Sequence, residues 1–369
     1  MILPSDTTTD NTPLQNQSDW PYGKSLFSVP LATLPELIKS YNQPTFRSKQ
    51  LIEWLYKKHI RSYDEMSNLP KQLREALKRD FPGVVPHEID KQISRDGTRK
   101  YVFEYDDGAR VEAVGIPSLE QNTKGKAKHL SVCFSTQAGC AMGCAFCATG
   151  QEGLTRNLTA GEMLYQINTV SHDFGLRASH LVSMGQGEPF QNYEAVLEAL
   201  RFCNAKNGFE IGARHITLST CGIIQGIKKL AQEPEQFTLA VSLHAARQVV
   251  RDELMPRCAH IPLADLKQAL QMYVAQTSRR VSLEYIMIRN INDSEQDLAA
   301  LLSFTQDLLC HINLIPINSV AHSPYQPSLP QTTANWVQQL SAKGKETTVR
   351  NSRGADIDGA CGQLKNKLK

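Results

Sequence analysis

The spacing of apolar positions along this chain changes character twice. Met1 to about Pro21 carries no apolar period and is rich in Asp, Thr, Asn, Gln and Pro, which predicts a disordered tail over residues 1–25. From Leu31 to Phe81 the spacing becomes helical, with runs at Leu34–Ile38, Lys49–Tyr56 and Lys71–Leu77 that predict a small helical accessory domain over 26–90. Alternation with a period of two follows in Gln92–Ser94, Lys100–Tyr105 and Arg110–Ile116. These runs are separated by Arg95-Asp96-Gly97-Thr98 and Asp106-Asp107-Gly108, and Asp-Gly between alternating runs signals a hairpin. Residues 91–129 therefore read as a β-hairpin extension that ends in a polar, mobile loop, Ser118–His129, bearing Lys124, Lys126 and Lys128.

Beyond Leu130 the two periods alternate. After the apolar run Leu130–Ser135, strands are predicted at His180–Met184, His215–Leu218, Phe237–Ser242, Val281–Ile288 and Ile312–Ile317, with a further one at Thr347–Asn351. Helices are predicted between them, from the capping box Thr159-x-x-Glu162 towards His172 and at Tyr193–Cys203, Ile223–Ala231, Leu263–Ala275, Glu295–Leu309 and Thr332–Lys343. Repeated strand–helix units imply an α/β fold with a parallel sheet, here a partial parallel (β/α) barrel over 130–369.

Barrel chemistry gathers at the C-terminal strand ends. Those ends carry Gly185-Gln186-Gly187-Glu188, then Ser219-Thr220, Ser242-Leu243-His244 and Asn318. Glycines, a carboxylate, hydroxyls, an imidazole and an amide are the groups that hold an amino acid and a ribose. Each also has an ordinary reading: Glu188 as a helix cap, Ser219 as a turn residue, His244 as a satisfied structural histidine.

The 369 residues are 41% hydrophobic and 21% charged, ordinary for a soluble globular protein with a real core. A formal charge of +3 is too small to draw nucleic acid by itself. The balance is local instead, because Lys39 to Arg79 holds ten basic residues against four acids, beside Phe46, Trp54 and Tyr56. That module fits a grip on an RNA backbone, and equally a solvated basic face over a small core. No run reaches the ~18 residues of a membrane span and no secretory leader is read, so a cytoplasmic protein without membrane attachment is expected. In a reducing compartment nine cysteines point to metal or redox chemistry rather than structural disulfides.

Three of the nine, Cys140, Cys144 and Cys147, stand at C-x3-C-x2-C spacing behind an apolar run. Iron–sulfur clusters ordinarily take four thiolates, so three close cysteines leave one iron free for a ligand. A structural zinc knuckle is the alternative, but it pairs with a second knuckle or spaced histidines, and none follows. The spacing resembles the radical S-adenosylmethionine (SAM) superfamily, which implies a [4Fe–4S] cluster whose open iron takes the amino and carboxylate groups of SAM.

From about Leu31 to Leu364 the chain also resembles the RlmN family of RNA adenine C2-methyltransferases, whose relative Cfr methylates C8. The likeness lies in Phe46-Arg47-x-Lys49-Gln50, Trp54-Leu55-Tyr56, Ser62-Tyr63-Asp64-Glu65-Met66 and Val111-Glu112-x-x-x-Ile116-Pro117. It continues through the strand-end motifs and Ile312-Asn313-Leu314-Ile315-Pro316 to Arg353-Gly354-Ala355-Asp356-Ile357-Asp358-Gly359-Ala360-Cys361-Gly362-Gln363-Leu364, the most specific run, with Cys133 ahead of the cluster motif. The resemblance implies a radical SAM methyltransferase acting on 23S rRNA and on tRNA beside the anticodon, with two SAM per turnover. One SAM methylates Cys361; the second yields a 5′-deoxyadenosyl radical that takes a hydrogen from that methyl, and the carbon adds to adenine C2. Glu112 is implied as the base that removes the C2 proton, and Cys133 as the thiol that frees the product by a disulfide with Cys361. SAM is implied to touch Gly187, Glu188, Ser219, Ser242, Leu243, His244 and Asn318; a monomer supplied by an electron donor such as flavodoxin is expected. Gln186 departs from the family, which usually has Met between the glycines, and Gly115 and the Ser118–His129 loop depart to a lesser degree. A C8 or retargeted paralogue shares these motifs, and a non-catalytic cluster protein is the reading from another class, though it leaves Cys133, Cys361 and Glu112 without roles.

Overall fold

Ten strands hydrogen-bond into a single mixed sheet that carries almost every residue of chemical interest. The computed structural model describes residues 24–60, 62–83, 86–121, 123, 125, 127–318 and 323–365; the predicted tail before Lys24, and Arg61, Lys124 and Lys126, lie outside them. The helical region comprises α1 (Leu34–Ser40), α2 (Phe46–Lys57) and α3 (Lys71–Asp80). Strands β1 (His87–Ile93), β2 (Arg99–Glu104) and β3 (Arg110–Pro117) form the expected antiparallel hairpins.

The hairpins are not a separate layer. β3 pairs antiparallel with β4 (Leu130–Cys133), setting Val114 opposite Cys133, so the extension continues the main sheet. Two short strands absent from the sequence reading, β5 (Gln137–Gly139) and β6 (Leu154–Asn157), then bracket the cysteine loop as their own antiparallel pair.

The parallel core follows: α4 (Ala160–Phe174), β7 (His180–Val182), α5 (Tyr193–Asn204), β8 (Ile216–Thr220), α6 (Ile224–Gln232) and β9 (Thr238–Ser242). It continues through α7 (Gln248–Leu254), α8 (Leu263–Thr277), β10 (Val281–Met287), α9 (Glu295–Thr305), β11 (Cys310–Pro316), α10 (Pro330–Ala342) and β12 (Glu346–Val349). The sheet order β1-β2-β3-β4-β7-β8-β9-β10-β11-β12 is parallel from β4 onward and open at both ends, which is the partial barrel.

The capping box is present at α4, where the Thr159 hydroxyl accepts from the Glu162 amide at 3.2 Å and Glu162 accepts from the Thr159 amide at 2.8 Å. Ala160 to Val170 is buried throughout, because α4 is covered by the sheet on one side and by the helical region on the other. Phe27 packs edge-on to Tyr56 and Tyr165, with centroids 5.4 and 5.1 Å away. The contact is close enough to need a glycine: a Cβ on Gly161 would come within 2.2 Å of the Phe27 carbonyl oxygen. No helix among the described residues is long and apolar enough to cross a membrane.

Candidate active site

The loop Cys140–Cys147 is pinned from several directions. The Cys140 amide donates to the Gly153 carbonyl at 2.8 Å, the Ala145 amide to Leu254 at 2.9 Å, and the Ala148 amide to Gly362 at 2.8 Å. Those bonds tie the loop to the β6 approach, to α7 and to the segment just after Cys361. Cys140, Cys144 and Cys147 all line one cavity with about 910 Å³ of empty space, its open mouth included. That is ample for a cofactor pocket.

Burial pushes all three thiols up, Cys140 to about 11 and Cys144 well above its usual value. Coordination by iron reverses that tendency, since a metal-bound thiol is deprotonated outright. Among the described residues no three His, Cys, Asp or Glu groups are gathered to hold a single ion. Three thiols spread around a roomy pocket suit a larger body, and the donor set fits a [4Fe–4S] cluster.

The same cavity receives Gly187, Glu188, Ser219, Ser242 and His244 from the ends of three neighbouring strands. Gly187 has φ of 105°, and a Cβ there would meet the Gln137 side chain at 2.7 Å. Glu188 is buried; its carboxylate accepts from the Phe190 amide at 2.9 Å and the Cys221 amide at 2.7 Å. It therefore caps the following turn and also faces the cavity. Burial raises its pKa, against which those two amides favour the anion.

His244 adopts the left-handed region at φ 56° and is fixed by the Ile286 amide, which donates to Nδ1 at 3.1 Å. Burial, with the nearby Arg251, holds its pKa down to about 3, so the ring is neutral. Two sequence-predicted residues stand apart. Leu243 is fully buried and does not line the cavity, and Asn318 instead donates to the Cys361 carbonyl at 3.1 Å.

Cys361 lies where this cavity meets a second one. It lines the first beside Cys140, Cys144 and Cys147 and the second beside Cys133. Cys133 ends β4, and burial pushes its thiol up to about 12, opposed by Arg350. All nine cysteines are free, so the expectation of a disulfide is not supported: Cys133 and Cys361 are separate thiols.

Glu112 lines neither cavity, yet it occupies the same face of β3 as Val114, which packs with Cys133 and Leu364. It pairs with Lys100 at 3.3 Å. The Cys361 loop is fastened to the β1–β2 turn: Arg353 Nε donates to Asp96 at 2.8 Å, and the Ser94 hydroxyl donates to Asp356 at 2.6 Å.

Gln186 turns away from the glycines on either side of it. It lines a different cleft with Asp107, Arg110 and Glu152, and its buried Oε1 has no hydrogen bond among the described residues. Gln186 therefore does not line the cavity that holds Gly185 and Gly187.

Several residues escaped the sequence reading. Arg350 follows β12 directly and lines the second cavity with Cys133 and Cys361; the strand-end rule applied to the last strand finds it. Glu284 is a carboxylate in the middle of the largely buried strand β10, held by Ser282 at 2.9 Å and Asn313 at 2.8 Å. Cys221 and Cys258 share a thiol hydrogen bond that raises the pKa of the first and lowers that of the second. Fully buried Arg251 stands behind them and donates to the Cys221 carbonyl at 2.7 Å.

Comparison with known proteins bears on the family and the fold. The family described as Radical SAM superfamily matches residues 134–302, and that described as Ribosomal RNA large subunit methyltransferase N-terminal domain matches 24–81. A Clostridium novyi protein named probable dual-specificity RNA methyltransferase RlmN is 40% identical over 343 residues, 93% of this chain and 98% of that one. A Staphylococcus carnosus protein of the same name is 41% identical over 347 residues, 93% of each. The crystal structure of a radical SAM methyltransferase from Sphaerobacter thermophilus superimposes with a TM-score of 0.85 at 39% identity, covering 93% of this chain and 99% of that one.

Proposed function

The chain belongs to the RlmN family of radical SAM RNA methyltransferases, and from that premise we propose that it methylates C2 of adenine in both 23S rRNA and tRNA, carrying the methyl group on Cys361. Membership of the radical SAM superfamily implies a [4Fe–4S] cluster and SAM. Cys140, Cys144 and Cys147 would hold the cluster. Glu188 would accept the ammonium of SAM as a charge-assisted hydrogen bond, with Gly187, Ser219, Ser242 and neutral His244 around the rest and Leu243 and Asn318 acting from behind. When bound, these groups supply a methyl to the Cys361 thiol and then, with one electron from a donor such as flavodoxin, the radical chemistry that activates that methyl.

The remaining work falls to the chain's own residues. Adenine C2 is a poor nucleophile, so the methyl has to be carried to it on a reactive carbon held by the protein. Cys361 as thiolate is a competent acceptor of the methyl. Glu112 is the proposed base for the C2 proton. Cys133 is the proposed thiol that attacks the Cys361 sulfur and releases the product, leaving a pair that an external reductant restores. The excess of Lys and Arg between Lys39 and Arg79 supports a role of the helical region in gripping RNA.

One observation carries the reading: Cys361 borders both the cavity of the cluster cysteines and the cavity of Cys133. A sulfur so placed can be loaded from one side and unloaded on the other. The test is Cys361→Ala in anaerobically reconstituted protein. RNA methylation is expected to vanish while iron content stays at the native level; methylated RNA from this variant would contradict the proposal.

A further inference from the structure

The buried ion pair between β2 and β3 asks for a role that stability does not supply. Lys100 is 3% exposed and Glu112 1%, with Nζ 3.3 Å from Oε1. Their strands pair so that Lys100 stands opposite Val114 and Val102 opposite Glu112, making the two charged residues diagonal neighbours on one face. The other two positions of that square, Val102 and Val114, are apolar and buried. Two apolar residues would serve such a place at least as well, because desolvating both charges offsets their attraction.

The pair is also incompletely satisfied. Among the described residues, nothing hydrogen-bonds the buried Oε2 of Glu112. A free carboxylate oxygen in a dry site is costly unless a donor arrives in use. The surroundings say where that donor would come from. Val114 packs with Cys133 and with Leu364, three residues beyond Cys361, and the Lys365 backbone amide favours the charged carboxylate. The base is therefore fastened to the loop that carries the methyl. Facing Glu112 are Lys100 from β2, the Lys365 amide from the C-terminal loop and, as an opposing charge, Glu152, which itself faces Lys365. Cys133 lies across the β3–β4 pairing.

We infer that Lys100 is a positioning residue for the proton-removal step: it binds Oε1 of Glu112 and keeps the group anionic, leaving Oε2 open to take the C2 proton. The inference rests on the reading of Glu112 as the base. In the step itself the C2–H bond breaks, its electron pair stays with the ring and a new O–H bond forms at Oε2. No oxidant or further reactant enters. Burial alone favours protonated Glu112, and a protonated carboxyl cannot accept. The Lys100 ammonium opposes that tendency at contact distance.

The test follows the Glu112 carboxyl band by infrared difference, each protein against its own Glu112→Gln counterpart, as pH is raised. At about pH 7.5 the native group is expected to be ionised, whereas in Lys100→Met its titration moves up by at least about one unit. Lys100→Arg keeps the charge and is expected to restore the native titration. In reconstituted protein, the acid limb of the RNA methylation profile should move with the band, about tenfold in rate per unit, while methylation of Cys361 is unchanged. An unshifted titration in Lys100→Met overturns the inference. So does a protonated Glu112 in the native protein at that pH, which needs no Lys100 variant to fold. If Glu112→Gln methylates RNA at the native rate, the underlying assignment of the base falls. If Glu112→Gln stalls and Lys100→Met does not shift, only the role of Lys100 falls.

Discussion

Cys361 borders a cavity on either side, and the residues nearest to it divide accordingly. Loss of the Cys133 thiol removes the proposed release step and leaves the earlier ones, so Cys133→Ala is expected to accumulate protein covalently attached to RNA. Gel analysis under denaturing conditions checks this, and free protein with full turnover would contradict it. The same thiol is pushed up to about 12 by burial, and Arg350 is the cation that opposes the shift. Arg350→Met should therefore slow alkylation of Cys133 by about tenfold at pH 8–9, which mass spectrometry of the labelled peptide reads. His244 yields a prediction with a definite sign. Its folded pKa, about 3, lies below the unfolded value near 6.5, so the unfolded chain binds the extra proton in that window. Stability falls as pH drops from about 6.5 towards 3, by about 1.4 kcal/mol per unit at most. His244→Asn should flatten this part of the urea midpoint profile, and an unchanged slope would refute the burial argument. At this scale the strand-end rule brought Gly187, Glu188, Ser219, Ser242 and His244 to one cavity from sequence alone. It missed Lys100 because a charged residue in an alternating strand reads as solvent-facing until the layer over it is known.

Elements with strong local chemistry were legible, and those made by tertiary contact were not. Asp-Gly turns marked the hairpins, and Thr159-x-x-Glu162 marked the start of α4. Helix α7 has only seven residues and exposes Val249, so its periodicity is weak. Strands β5 and β6 are short, polar and joined by an irregular register, and they exist to bracket the cysteine loop. The Cys361 loop is a further case. Nothing in its composition fixes it, but Asp96 in the β1–β2 turn receives Arg353 and the Gly354 amide, and Asp356 receives Ser94 and the Arg95 amide. Asp96→Ala should speed hydrogen exchange of amides 354–359 by about tenfold or more, with little change in the rest of the barrel. Equal protection in the variant would show that the turn does not hold the loop.

The whole molecule is organised by one sheet. Its hairpin end supplies Glu112 and Lys100, β4 supplies Cys133, and the parallel strands supply the cavity lined by Gly187, Glu188, Ser219, Ser242 and His244. That continuity is not visible in the sequence, where residues 91–129 read as an extension, because the pairing of β3 with β4 joins residues on either side of the polar stretch Ser118–His129. The helical region likewise seals α4 through Phe27 and Tyr56. The account centres on the passage of a methyl group through Cys361, and an isotope chase reads that passage directly. Protein is first methylated on Cys361 with SAM carrying a heavy methyl, freed of SAM, then given RNA and unlabelled SAM for one turnover. The account predicts the heavy label at the methylated adenine. A product methyl bearing only the light isotope, with the heavy group still on Cys361, would contradict it.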